Sequence, residues 1–205
     1  MIRRTALALS LLMASLSAIA AEGQTAGDPA KGQATAAMCA GCHGMDGNAI
    51  VPGTPSLAGQ HAAYLAKQLA QFKAGVRANP IMAGMSAPLS PEDMQNVAAW
   101  FSSQALKPAV AKDEKLALQG QKLWRGGDLQ KGIPACAGCH GPAGAGLPAQ
   151  YPRLAGMAPD YTENQLKAFR AGERANDPEK MMQLIAAKMS DADIKAVAEY
   201  AAGLR

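Results

Sequence analysis

Apolar positions along this chain recur at helical spacing, and no segment alternates cleanly with period two over the length of a strand. Met94, Val97, Ala98 and Phe101 fall at i, i+3, i+4 and i+7. They follow Ser90-Pro91-Glu92-Asp93, which reads as a helix start with acids in the first turn. Ser190 to Asp193 opens a matching helix near the end of the chain, with Ile194, Val197, Ala198 and Ala201 on its inward side. Between Gly59 and Lys73, the side chains of Tyr64, Leu65, Leu69 and Phe72 share a face, and Gly75 follows as a stop. Asp28-Pro29 reads as an N-cap followed by proline at the first helical position. The pattern predicts an all-α chain with almost no sheet.

The opening residues follow a different pattern. Arg3 and Arg4 make a short positive start, Ala6 to Ala21 carries no charge, and Ala18-Ile19-Ala20 supplies a small-x-small cleavage site. The apolar run of about 15 residues is shorter than the roughly 20 that a membrane span needs. Residues 1–21 therefore read as an export signal, cleaved near Ala20 or Ala21, ahead of a soluble mature chain.

A repeat organises the remainder. Shifting the sequence by 97 residues lays Pro55-Ser56-Leu57-Ala58-Gly59 over Pro152-Arg153-Leu154-Ala155-Gly156. Tyr64 falls on Tyr161, Gln68-Leu69 on Gln165-Leu166, Phe72 on Phe169, and Arg77-Ala78-Asn79 on Arg174-Ala175-Asn176. The second copy then gains three residues, and the shift becomes 100. A charged, proline-containing stretch around Lys107-Pro108 reads as a linker. The expected organisation is a domain at 22–104, a linker at 105–112 and a second domain at 113–205. The second domain carries about nine extra residues around Trp124-Arg125-Gly126-Gly127, with no role legible in the sequence.

All four cysteines lie in one pattern used twice: Cys39-Ala40-Gly41-Cys42-His43 and Cys136-Ala137-Gly138-Cys139-His140. Cys-x-x-Cys-His is the attachment pattern for c-type haem. Two thiols add across the vinyl groups of one porphyrin edge, and the adjoining histidine places an imidazole nitrogen under the iron. A disulfide suits an exported chain, but it leaves unexplained a histidine after both pairs in a chain with three histidines. A redox dithiol lacks its βαβ context, and a tetrahedral zinc site needs four ligands where each motif supplies three.

The repeat also selects a second axial ligand. The spare histidine, His61, falls on Ala158, so a methionine is expected. At a shift of 100, Met85 falls on Ile185, Met94 on Ile194, and Leu89 on Met189; only Met82 and Met182 coincide. Met82 and Met182 are the predicted ligands, with Met85 and Met181 as the alternatives. His61 is expected to face solvent, and Trp100 and Trp124 to serve in packing.

Charge and composition narrow the function. Without Arg3 and Arg4 the chain has 18 basic and 16 acidic side chains, and two haems would add four carboxylates and bring the sum near −2. The basic residues are scattered, so nucleic-acid binding, which needs a clustered basic face, is not expected. Nine aromatic residues are few for two small domains, and a porphyrin would fill such cores.

The duplicated motif, the paired methionines and the linker resemble the di-haem cytochrome c4 family, in which two tandem class I cytochrome c domains follow a signal peptide. The resemblance covers essentially the whole mature chain. It implies two covalently bound haem c groups, related by a pseudo-twofold axis and close enough for electrons to pass between them. It implies that a proline carbonyl about a dozen residues after each haem histidine accepts the imidazole N–H, a role that falls to Pro55 and Pro152. It further implies a periplasmic monomer, peripherally associated with the membrane, that passes single electrons between an upstream reductase and a terminal oxidase or other redox protein. A haem saturated by His and Met moves electrons without bond chemistry. Two other readings share the motifs: the di-haem subunit of a dehydrogenase complex, and a di-haem peroxidase, which would need one open iron position.

Overall fold

A computed structural model of the chain describes residues 27–148 and 150–205. The export signal expected at residues 1–21 lies outside the described residues. The helices are α1 (Pro29–Ala36), α2 (Ala40–His43), α3 (Ala62–Lys73), α4 (Pro80–Ser86) and α5 (Pro91–Ser102), followed by α6 (Glu114–Gly126), α7 (Ala137–His140), α8 (Pro159–Ala171), α9 (Met181–Ala186) and α10 (Asp191–Gly203). Five helices are thus laid down twice in the same order. The described residues hold no strand, only isolated bridges at Asp128–Ile133 and Leu147–Tyr151.

The predicted starts are built from local hydrogen bonds. Asp28 accepts from Ala30 N at 2.8 Å, with Pro29 in the first turn of α1. Ser90 and Asp93 form a reciprocal capping box at α5, and Ser190 and Asp193 repeat it at α10. The helix expected from Gly59 begins later, at Ala62, because Gly59 sits at φ +65° and donates its N–H to Phe101 O instead.

Each half is organised by its first and last long helices, α1 against α5 and α6 against α10. Glycine makes both crossings possible. A Cβ at Gly32 would lie 1.9 Å from Asn96 O, and one at Gly120 would lie 1.9 Å from Ala196 O. Aligning the halves on these glycines places Ala36 over Trp124 and Phe101 over Ala201. All four are buried. One large aromatic and one alanine therefore fill the same space, contributed by opposite partners, a volume-conserving exchange of the kind that cores tolerate. The sequence expectation that Trp124 packs inside is met: it is 1% exposed.

The extra residues of the second half form a closed loop. Asp128 and Ile133 exchange backbone hydrogen bonds of 2.8 Å, and Asp128 Oδ1 accepts from Gln130 N and Lys131 N. The loop drives Ile133 into the core beside Trp124 and leaves Leu129 on the surface.

Residues 105–112 contain no helix and are tied down at both ends. Lys107 N donates to Asn48 Oδ1 at 2.6 Å, and Asn48 Nδ2 donates to Ala105 O at 3.0 Å. Ala109 N reaches Gly156 O at 2.9 Å, while the Glu199 carboxylate accepts from Lys112 N and Asp113 N. No helix among the described residues is long and apolar enough to cross a membrane.

Gly120→Ala should destabilise the fold at the upper end of about 1–3 kcal/mol, since backbone rather than a flexible side chain opposes the new methyl. Thermal unfolding measures it, and an unchanged Tm would show that α6 and α10 have slack where none is drawn.

Candidate functional site

Both Cys-x-x-Cys-His motifs occupy a single helical turn, α2 or α7, that ends on the histidine. Gly44 and Gly141 follow at φ +77° and +79°, a left-handed turn that sends the chain away at once. The chain then returns. Gly47 O accepts from Leu57 N and Ala58 N at 2.7 and 3.1 Å, and Gly144 O accepts from Leu154 N and Ala155 N at 2.8 and 3.0 Å. This clasp brings the preceding proline over the histidine. His43 Nδ1 lies 2.9 Å from Pro55 O, and His140 Nδ1 lies 3.0 Å from Pro152 O.

A carbonyl can only accept, so each Nδ1 carries the proton and each Nε2 is a bare lone pair. Both rings are 7% exposed. Burial lowers both imidazole pKa values, against a smaller opposing effect of the proline carbonyl. The result is a neutral imidazole with fixed tautomer and orientation, the form a metal requires. None of the four cysteines pairs with another in a disulfide. Burial pushes the Cys39 and Cys136 thiols up to about 11, the opposite of the lowered pKa that marks a reactive dithiol. Among the described residues no cluster of His, Cys, Asp or Glu converges to hold a metal ion by itself.

The candidate methionines lie on α4 and α9, the fourth helix of each half. Met82 is in the first turn of α4, where Asn79 Oδ1 accepts its backbone N–H at 2.9 Å. Met182 is in the first turn of α9, entered through Glu179 and Lys180 at φ 51° and 56°. Both are half-buried, as is Met85. Met181 is more open, on a surface shared with Leu129 and Leu184. Met94 and Met189 are core residues.

A group of residues at the junction of the halves was not singled out by the sequence. Arg77 donates to Gln68 in its own half and to Tyr161 and Gln165 in the other, at 2.7, 3.1 and 2.9 Å. Arg174 mirrors it, donating to Gln165 at 2.7 Å and to Tyr64 at 3.0 Å. Each guanidinium also lies over a phenylalanine of its own half, Arg77 on Phe72 at 4.6 Å and Arg174 on Phe169 at 4.4 Å. Arg77 is 8% exposed, and neither arginine has a carboxylate partner among the described residues. The positive field is felt by Tyr161: burial alone would raise its phenol, but the two guanidiniums outweigh it and hold the pKa below the ordinary value. The identities shared by the two repeats were the available signal, since Tyr, Gln, Phe, Arg and Asn recur at this junction.

His61 corrects the expectation of solvent exposure. It is half-buried, and its Nε2 lies 2.9 Å from Ala145 O in the opposite half. Gln60 lies beside it, exchanging hydrogen bonds of 2.9 Å with the backbone of Arg153.

The residues present fit a haem in each half. The bare Nε2 atoms suit iron and the paired thiols suit two vinyl groups. The acid-free arginines suit propionates. Two buried donors, Ser86 Oγ and Trp124 Nε1, find no acceptor in the chain itself.

Comparison with known proteins agrees. The cytochrome c family profile matches residues 29–105 and again 117–204. Cytochrome c4 of Pseudomonas aeruginosa is 47% identical over 181 residues, spanning 87% of this chain and 90% of that protein. A thiosulfate dehydrogenase electron acceptor of Stutzerimonas stutzeri is 41% identical over 96% of this chain and 92% of its own length. The crystal structure of reduced recombinant cytochrome c4 from Pseudomonas stutzeri superposes with a TM-score of 0.84 at 46% identity, covering 88% of this chain and all of that one.

Replacing Cys136 and Cys139 together by alanine should leave one covalently held haem per chain in a denaturing haem stain, and two would refute the second attachment site. Two tandem cytochrome c domains, each with its Cys-x-x-Cys-His and a covalently bound haem c, make this chain a member of the cytochrome c4 family of di-haem electron carriers.

Proposed function

We propose that the chain is a periplasmic, monomeric single-electron carrier rather than an enzyme, with His43 and Met82 ligating one iron and His140 and Met182 the other. The observation that carries this reading is the mirrored geometry of the two halves. Each offers one neutral, carbonyl-held imidazole and, on a later helix of the same half, one half-buried methionine at a repeated position.

The haem supplies a one-electron iron couple, and a methionine ligand raises its potential relative to two histidines. The chain's own residues do the rest. Pro55 and Pro152 keep Nδ1 protonated, so Nε2 remains the donor to iron in both oxidation states. With an imidazole and a thioether both held by the iron, no position would be left for a substrate. The cores around the motifs, Leu65, Ala66, Val97 and Phe101 in one half and Leu123, Trp124, Ile133 and Ile194 in the other, exclude water. Water excluded from a rigid site keeps the reorganisation on electron transfer small. Arg77 and Arg174 would hold propionates at the junction, which brings the two cofactors toward each other and compensates two guanidiniums that otherwise have no anion.

The upstream donor is a reductase or dehydrogenase and the acceptor a terminal oxidase or another redox protein, met through a transient interface of small area. Peripheral membrane association belongs to the same reading. A second reading, service to a thiosulfate-oxidising dehydrogenase, is favoured by the electron-acceptor relative that spans 96% of this chain. Rapid reduction of the purified chain by such an enzyme with its substrate would favour it over a general respiratory role.

Met82→Ala should open one iron to added cyanide or imidazole and lower one of two midpoint potentials, and Met182→Ala should do the same to the other. Optical redox titration with and without ligand reads both. Unchanged spectra in Met82→Ala would transfer the ligand role to Met85.

A further inference from the structure

Leu129 is 95% exposed, in a loop that the first half lacks. Ile133, 2% exposed, does the inward packing of that loop, so folding gains nothing from Leu129. Its position is nevertheless fixed. The backbone bonds between Asp128 and Ile133, and the Asp128 carboxylate on Gln130 N and Lys131 N, hold the loop closed. Nearby, Leu184 is 60% and Met181 36% exposed. Together these residues frame an open groove of about 500 Å³. Leu129, Ile133 and Pro134 form one wall, and Met181, Leu184 and Ile185 form the other. Lys188 ties the walls together, donating from Nζ to Gly132 O at 2.8 Å. Contiguous exposed apolar surface rimmed by polar residues marks an interaction site.

Position, charge and size select the occupant. One wall ends two residues before Cys136, and the other contains the residue before Met182. The groove thus adjoins both segments that hold the second haem in the proposed reading. The first half has no equivalent: at a shift of 100, Gly84 stands in place of Leu184 and Pro88 in place of Lys188, and no loop supplies an opposite wall. Lys131, Lys180 and Lys188 flank the groove together with Asp128, Glu179 and Asp193, so the formal charges cancel. Lys131 is paired with both aspartates, at 3.6 and 2.7 Å. An anionic lipid surface calls for a basic face around the apolar one, and a balanced rim does not provide it. A stable dimer takes about 20–30 residues from each side, far more than the eight that line this groove. A transient redox encounter needs less.

We propose that the groove docks an electron-transfer protein through an uncharged, apolar contact face, so that the second haem is the one that exchanges electrons with that partner. The proposal deepens the electron-carrier reading and rests on it. One electron passes per encounter, the donor being oxidised and the acceptor reduced, and no bond forms or breaks. Leu129 and Leu184 are the contact residues, held in place before the partner arrives. Because the rim charges cancel, long-range attraction does not steer the approach.

The test uses the full mature holoprotein and two probes: a thiosulfate-oxidising dehydrogenase supplied with thiosulfate, and membranes bearing a terminal oxidase. Leu129→Ser and Leu184→Ser should each slow the second-order rate of electron exchange with the reacting probe by about tenfold. Oxidation by ferricyanide and both midpoint potentials should stay unchanged. Ile81→Ser, in the first half and also at an exposed position, should leave the rate with the probe as it was. For the unmodified chain, that rate should vary by less than about twofold between low and physiological salt. Full rates in both leucine variants, an equal loss in Ile81→Ser, or a steep fall with salt would overturn the proposal. So would a concentration-dependent dimer, or binding to anionic vesicles, that either leucine variant abolishes, since the groove would then belong to a second copy or to lipid. An unmodified chain that reacts with ferricyanide but with neither probe would instead defeat the carrier reading itself, and this inference with it.

Discussion

The arrangement depends on a single hydrogen bond made twice, from a buried imidazole to the carbonyl of a proline twelve residues along. A buried histidine has three states, and two of them are useless as a ligand here. Protonation removes the lone pair, and the other tautomer places the hydrogen on Nε2, the atom that the proposed ligation needs bare. Burial disfavours the charged form, and the carbonyl selects the tautomer. Neither effect would hold without a rigid loop. The clasp of Leu57 and Ala58 on Gly47 O, matched by Leu154 and Ala155 on Gly144 O, sets the carbonyl at 2.9 to 3.0 Å from the ring. Backbone geometry therefore decides the tautomer of the side chain.

What was legible in the sequence is what covalent and local chemistry writes there. The haem motifs are contiguous because one porphyrin edge spans them. The starts of α1, α5 and α10 are contiguous because a cap needs its partner within three residues. The repeat offers a further reading, a register in which only Met82 and Met182 coincide, and the proposed ligation is built on it. The junction was not legible, because Arg77 meets Tyr161 and Gln165, which are 84 and 88 residues away. His61 failed for the same reason: nothing near it in sequence announces Ala145 O. The exchange of Ala36 and Phe101 for Trp124 and Ala201 needed the crossing glycines as reference, since the haem motifs align at a different shift.

The duplication is a shared frame with unequal contents. Helix order, capping boxes, crossing glycines and proline carbonyls are the same in both halves. The differences cluster around the two sites. His140 has the Trp124 ring at 6.4 Å and the Tyr151 ring at 6.1 Å, where the first half has Ala36 and Thr54 at the corresponding positions. The loop from Asp128 to Ile133 adds a wall to the second core alone. The entry to α9 passes through two non-glycine residues in left-handed conformation, where α4 enters through an ordinary asparagine cap. The two haems thus sit in surroundings of different polarity and shape, and surroundings are among the levers that set potential.

The junction resolves a problem that the frame creates. Two domains that meet through a pseudo-twofold bring equivalent residues together, and here the equivalent residues are arginines. Like charges would drive the halves apart unless the local charge is compensated, and among the described residues no carboxylate hydrogen-bonds to either guanidinium. Glutamine and tyrosine oxygens satisfy the N–H groups without neutralising them, and the phenylalanine faces add a modest attraction. In the proposed reading the propionates of the two haems would supply the compensation that remains. The polar contacts of Gln60, His61 and Asp160 across the same junction align the halves but contribute little to neutralising that charge.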